Sequence, residues 1–170
     1  QKEFQFDHGI RLGLGLYGIN PDEDFIPISF DLKPALKLFS NVVQVKKIKK
    51  GDKVGYGATY EASEDEWIGV VPIGYADGWI RLHQGRNVIG NGVECEIVGR
   101  VCMDQMMIRL PNPIPMGTVV TLIGEGMPVE RVAREIGTIS YEILCLISDR
   151  VPRVYKKDGK IIAVKKMRFE

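Results

Sequence analysis

Glycine and proline punctuate this chain at short intervals: 19 glycines and 9 prolines are spread along 170 residues, with no cluster that reads as a linker. Glycine weakens a strand or helix interior and proline removes an amide donor, so residues spread in this way mark turns between short strands. Residues 10–17 alternate apolar side chains with glycine and run into Gly18-Ile19-Asn20-Pro21, a strand entering a loop. From 35 to 48 the β-branched Val42, Val43, Val45 and Ile48 predict a long extended stretch; Gly51-Asp52 turns it into 53–62, and Ser63-Glu64-Asp65 turns that into 66–75. Segments 88–92, 93–110 and 119–123 continue an antiparallel meander, and Asp158-Gly159 sets a hairpin near the end. Two helices are expected late in the chain. Residues 128–136 carry Val129, Val132, Ala133 and Ile136 at helical spacing between Pro128 and Gly137, and residues 140–151 open with Ser140 as a cap and stop before Pro152. The predicted fold is mainly β, an antiparallel barrel or sandwich with two short helices.

Apolar residues make up 45% and charged residues 26%, a balance that supports a buried core and excludes a disordered chain. No apolar run reaches the ~20 residues of a membrane-spanning helix. Lys and Arg number 23 against 22 Asp and Glu, a net charge of +1, which lacks the basic excess of a protein that rides on phosphate backbones. Cys95, Cys102 and Cys145 are odd in number and at no metal-ligand spacing, so reduced, buried thiols in a cytosolic protein are expected. Gln1-Lys2-Glu3-Phe4 is followed by no apolar stretch, so no secretory leader is expected, and the first residue other than Met reads as a piece of a longer chain or a processed one.

Candidate chemistry is sparse when read residue by residue. The run Lys46-Lys47-Ile48-Lys49-Lys50 reads as a solvated strand end whose charges discourage edge pairing; the other reading, an RNA-binding loop, lacks aromatic residues between the lysines on which bases could stack. His8 and His83 are the only histidines and read as surface residues, with no spacing that supports a metal site. Three segments break the strand pattern. Gly55-Tyr56-Gly57 puts a tyrosine between glycines, where another backbone or a ligand can approach closely. Gly74-Tyr75-Ala76-Asp77-Gly78-Trp79 ends a strand with a second such tyrosine, and Gly99-Arg100-Val101-Cys102-Met103-Asp104-Gln105 sets polar groups among apolar neighbours. Pattern alone leaves their function open.

Taken together and in order, the stretches RLGLGLYGINP (11–21), VGYGATYEA (54–62), PIGYADGWIR (72–81), VGRVCMDQ (98–105), TISYEI (138–143) and ISDRVPR (147–153) resemble the C-terminal part of alanine racemase. That family depends on pyridoxal 5'-phosphate (PLP) and joins an N-terminal (β/α)8 barrel to a C-terminal β domain. The resemblance implies that residues 1–20 are the end of the barrel, its last strand, and residues 21–170 the β domain. It implies Tyr56 as the catalytic tyrosine, exchanging the α-proton on one face of the substrate while the family's PLP lysine serves the other; racemisation needs an acid and a base on both faces. It implies Arg11 at the PLP pyridine nitrogen, where a permanent guanidinium keeps that nitrogen unprotonated. Gly13 and Leu14 match backbone donors to the cofactor phosphate, and Tyr141 matches a hydroxyl that reaches the same phosphate. Met103 matches a residue whose backbone amide meets the substrate carboxylate; Tyr75, Arg81, Arg100, Asp104 and Ile139 match the substrate entryway.

In these enzymes the site forms across a homodimer. The resemblance therefore implies a second subunit as partner, with Tyr56 and Met103 acting on the PLP of that subunit while Arg11 and Tyr141 serve their own. The family's PLP lysine has no match here, so the chain alone is expected neither to form the covalent lysine adduct with PLP nor to racemise alanine. The implied function is interconversion of L- and D-alanine for bacterial peptidoglycan, in the cytoplasm, with no metal, nucleic acid or membrane involved. Two alternatives stand beside it. A serine racemase is opposed by Tyr141, whose ring leaves less room for a hydroxymethyl group. A non-catalytic β-barrel binding module would make Tyr56 and Arg11 scaffold residues.

Overall fold

The computed structural model describes residues 9, 11–21 and 31–166. The chain divides into two compact units, Gln1–Lys37 and Leu38–Glu170. His8 lies outside the described residues.

In the first unit the strand expected over 10–17 is not formed among the described residues: 11–13 are irregular and Leu14–Tyr17 is a 3-10 turn. The Leu16 amide donates back to the Gly13 carbonyl at 3.0 Å, and that of Ile19 to Leu14 at 3.2 Å, so the glycines are used to curl the chain locally rather than to space a strand. Gly18 closes the turn at φ 71°, where the Lys33 carbonyl leaves no room for a Cβ.

The second unit is built on β1 (Leu38–Asn41), β2 (Gln44–Ile48), β5 (Glu66–Val71), β6 (Asn87–Gly90), β7 (Val93–Val98), β8 (Met106–Leu110) and β9 (Val119–Ile123). They form one antiparallel sheet in the order β1-β9-β6-β7-β8-β5-β2. Only β6-β7-β8 is a simple meander; β1 and β2, consecutive in sequence, end up at opposite edges. Seven strands laid flat would hold those edges about 29 Å apart. The link from Asn41 to Gln44 can reach only about 11 Å. The sheet must therefore curl until its edges nearly meet, and the link shows the closure: Val42 bonds to the β9 side through Gly117 and Thr118, and Val43 to Val70 of β5 at 2.9 Å. This half-closed barrel is the mainly β architecture that the strand pattern predicts.

Inside it lie Val42, Val71, Val88, Met106, Ile108, Val120 and Leu122, all at 0% exposure. The long stretches expected at 35–48, 53–62 and 93–110 are each broken. The second becomes a short hairpin, β3 (Lys53–Val54) and β4 (Tyr60–Glu61), around a 3-10 turn at Tyr56–Ala58; the third is interrupted between β7 and β8. Asn91 and Gly92, both at positive φ, form the hairpin turn between β6 and β7. Two helices follow, α1 (Val129–Glu135) and α2 (Ser140–Leu146). Helix α2 ends five residues before the expected stop, and Ile139 rather than Ser140 is its cap residue, without a side-chain hydrogen bond. The last hairpin, β10 (Arg153–Lys157) with β11 (Lys160–Lys165), turns at Asp158-Gly159 as predicted. Among the described residues no helix is long and apolar enough to cross a membrane.

Candidate functional site

Tyr56 stands on the turn between β3 and β4 and is 73% exposed, a large side chain held away from the core. Three positive φ values explain how: Gly55 at 77°, Gly57 at 73° and Ala58 at 50° enclose the tyrosine in left-handed geometry on either side. Behind it the turn leans on the 99–100 segment. A Cβ at Gly57 would lie 3.1 Å from the Arg100 guanidinium, and one at Gly99 only 2.8 Å from the Val54 carbonyl. Gly99 is thus required for close approach of two backbones, Gly57 for its positive φ, and Arg100 is packed against the Tyr56 turn.

Tyr60 follows on β4 but is differently committed. Its hydroxyl donates to Glu66 Oε1 at 2.7 Å, and burial together with that carboxylate pushes the phenol up to about 12. Of the two tyrosines in this hairpin, Tyr60 is held protonated as a donor. Among the described residues none hydrogen-bonds the Tyr56 hydroxyl.

The second group forms where the 3-10 turn Tyr75–Asp77 meets the 102–104 bend. A Cβ on Gly74 would collide with the carbonyl oxygens of Cys102 and Met103. Bare glycine lets the two backbones dock, with the Tyr75 amide on Cys102 O and the Ala76 amide on Met103 O, both at 3.0 Å. Tyr75, Met103 and Asp104 are consequently neighbours, all exposed. Asp77 Oδ2 accepts from the Gly74 amide at 2.9 Å and fixes the turn. Arg150, which the sequence reading did not single out, donates to Asp104 at 2.6 Å and pairs with Asp77 at 3.6 Å. Ile139 and Tyr141, both exposed, open α2. Arg81 sits exposed on the next 3-10 turn, Arg81–His83, with no hydrogen bond to the others among the described residues. In the first unit Arg11 and Gly13 are exposed and Leu14 is buried.

Several plain readings are corrected or explained. His83 is no surface residue: it is 2% exposed and stacked on Trp79 at 3.7 Å, and burial with nearby Arg86 pushes its imidazole down to about 4, so it is neutral. Cys95 and Cys102 are buried as expected, and burial raises both thiols, whereas Cys145 is exposed. The lysine run lies on and beyond edge strand β2, where Lys49 and Lys47 pair with Asp65 at 2.8 and 3.8 Å. That is the strand-end reading.

The curled β unit thus turns Tyr56, Tyr75, Tyr141, Met103 and Arg81 outward. A family model described as the alanine racemase C-terminal domain matches residues 35–155. The chain belongs to that family. It is 55% identical over 150 residues to the alanine racemase of Lactococcus lactis, covering 86% of this chain and 41% of that protein. Among solved structures, alanine racemase from Bacillus anthracis with bound L-Ala-P superposes with a TM-score of 0.86 at 47% identity, over 89% of this chain and 41% of that one. Alanine racemase from Bartonella henselae with covalently bound pyridoxal phosphate gives 0.73 at 32% identity, over 79% and 38%. The chain thus spans about two fifths of the length of the relatives it matches.

Proposed function

We propose that this chain works as the C-terminal part of a PLP-dependent alanine racemase that interconverts L- and D-alanine for peptidoglycan in the cytoplasm. In this reading, residues 1–20 belong to the end of its barrel and 21–170 to its β domain. The observation that carries the reading is Tyr56, an outward-facing phenol fixed between two left-handed glycines and braced by Arg100. The relatives supply the substrate: the solved neighbour carries L-Ala-P, and the curated matches are alanine racemases, which favours alanine over serine.

The residues present suit the cofactor. Among the described residues no backbone acceptor meets the amides of Gly13 and Leu14, and the exposed Arg11 guanidinium has no ion-pair partner. Free amides beside a glycine suit a phosphate, and a guanidinium suits a ring nitrogen that is to stay unprotonated. Arg11, Gly13, Leu14 and Tyr141 would hold PLP, which when bound supplies the electron withdrawal that acidifies the substrate α-hydrogen. Tyr56 takes that proton at its phenolic oxygen on one face, or returns it when the reaction runs the other way. The Met103 amide holds the substrate carboxylate, while Tyr75, Arg81, Arg100, Asp104 and Ile139 line the approach. A second subunit completes each site: Tyr56 and Met103 reach across to it, and Arg11 and Tyr141 serve their own.

The test is racemisation and α-hydrogen exchange of L- and D-alanine in D2O by the full-length enzyme, beside Tyr56→Phe. Loss of a positioned acid–base group predicts a fall of about 100- to 10,000-fold, concentrated in the direction that starts from L-alanine. The 170-residue polypeptide alone is expected to give no exchange. Equal activity of Tyr56→Phe and wild type would remove Tyr56 from the chemistry.

A further inference from the structure

The segment ISDRVPR (147–153) carries no role in the reading above, yet it is a densely hydrogen-bonded turn. Arg153 folds it: its guanidinium donates to the carbonyls of Ile147, Ser148 and Val151 at 2.9, 2.9 and 2.7 Å. Three carbonyls on one planar fork leave the turn little freedom. The turn is also pinned from outside, because the Ser148 amide donates to the Asp77 carbonyl at 3.0 Å and Gly78 packs against Leu146 without space for a Cβ. From this braced turn Arg150 projects onto two carboxylates on two other segments, Asp104 at 2.6 Å and Asp77 at 3.6 Å.

Those two segments are the ones that carry Met103 and Tyr75. Asp77 is 14% exposed in its side chain and Arg150 42%, so the Arg150–Asp77 arm is shielded from solvent on its carboxylate side. The Asp104 arm, half exposed, reaches the residue next to the Met103 amide. We propose that Arg150 is a positioning residue for the racemase site: it locks the 102–104 bend against the Tyr75–Asp77 turn and thereby fixes where the Met103 amide meets the substrate carboxylate. Arg153 shapes the turn that presents it. The inference rests on the alanine racemase reading and adds to it a residue that touches neither substrate nor cofactor.

An amide moved by a fraction of an ångström weakens carboxylate binding more than it alters proton transfer at Tyr56. In the full-length enzyme Arg150→Ala is therefore expected to raise KM for alanine about tenfold with a smaller change in kcat, within the roughly 100-fold that an ångström of misplacement can cost. Arg150→Lys keeps one charge but not the fork, and is expected to fall between wild type and Arg150→Ala. Adding Asp104→Asn to Arg150→Ala should raise KM no further than the worse single change, because both remove the same link. Thermal unfolding of each variant reports folding separately. An unchanged KM in a folded Arg150→Ala enzyme, or fully additive effects in the double variant, would overturn the proposal. Wild-type racemisation abolished by Tyr56→Phe would meanwhile leave the underlying reading standing, so the two failures are distinguishable.

Discussion

Tyr56 and Tyr60 share one short hairpin and one chemical group, and their surroundings give them opposite fates. Tyr60 reaches Glu66, itself only 7% exposed, and the pair satisfies two groups that could not otherwise lie below the surface. Tyr60→Phe would leave that carboxylate without its donor. It should lower stability by about 1–3 kcal/mol, seen as a reduced urea midpoint, while leaving kcat nearly unchanged. Tyr56→Phe removes a hydroxyl that no described residue engages and should do the reverse. If Tyr60→Phe abolished turnover in a folded enzyme, the assignment of the proton to Tyr56 would fail. At this scale the sequence was informative in part. The Gly-Tyr-Gly signature singled out Tyr56, but nothing in the spacing told that Tyr60 would be tied to Glu66, because β4 and the start of β5 meet only once the turn at Ser63-Glu64-Asp65 is made. Arg150 was hidden for the same reason, its partners at 77 and 104 being distant in sequence.

Among the elements, the turns were harder to read than the strands. Val119–Ile123 and the Asp158-Gly159 hairpin follow from alternation and turn residues alone. The strands expected to run through 54–60 and 98–106 fail at glycines whose use is tertiary: Gly55, Gly57 and Gly99 are placed by contacts with Arg100, Met107 and Val54, which no local pattern contains. Gly74 gives the sharpest test. Its φ of −151° is open to any residue, so Gly74→Ala adds no torsional strain and acts through space alone. The new methyl meets two backbone carbonyls that cannot swing aside, unlike the end of a side chain. Separation of the Tyr75–Asp77 turn from the 102–104 bend should cost about 1–3 kcal/mol and raise KM for alanine in the same variant. Wild-type stability and KM together would show that the two segments are not held as tightly as their hydrogen bonds indicate.

At the scale of the whole molecule, the curl that brings β1 round to β2 closes the core and leaves the side chains of the proposed site outside it. Tyr56, Tyr75, Met103, Ile139 and Tyr141 are all exposed, an apolar and aromatic set that a monomer would be expected to cover. The proposed homodimer covers it with a second subunit, and it makes a prediction that no single-subunit arrangement shares. If Tyr56 acts on the site of the partner while Arg11 serves its own, Tyr56→Phe and Arg11→Ala spoil a given site from different chains. A mixed dimer then gathers both changes in one site and leaves the other wild type. Mixing the two inactive homodimers under exchange conditions should restore about a quarter of wild-type activity, since half the dimers are mixed and each has one intact site. Were both residues supplied by the same chain, every site would carry one change and no activity would return. Racemisation measured before and after subunit exchange decides between the two arrangements.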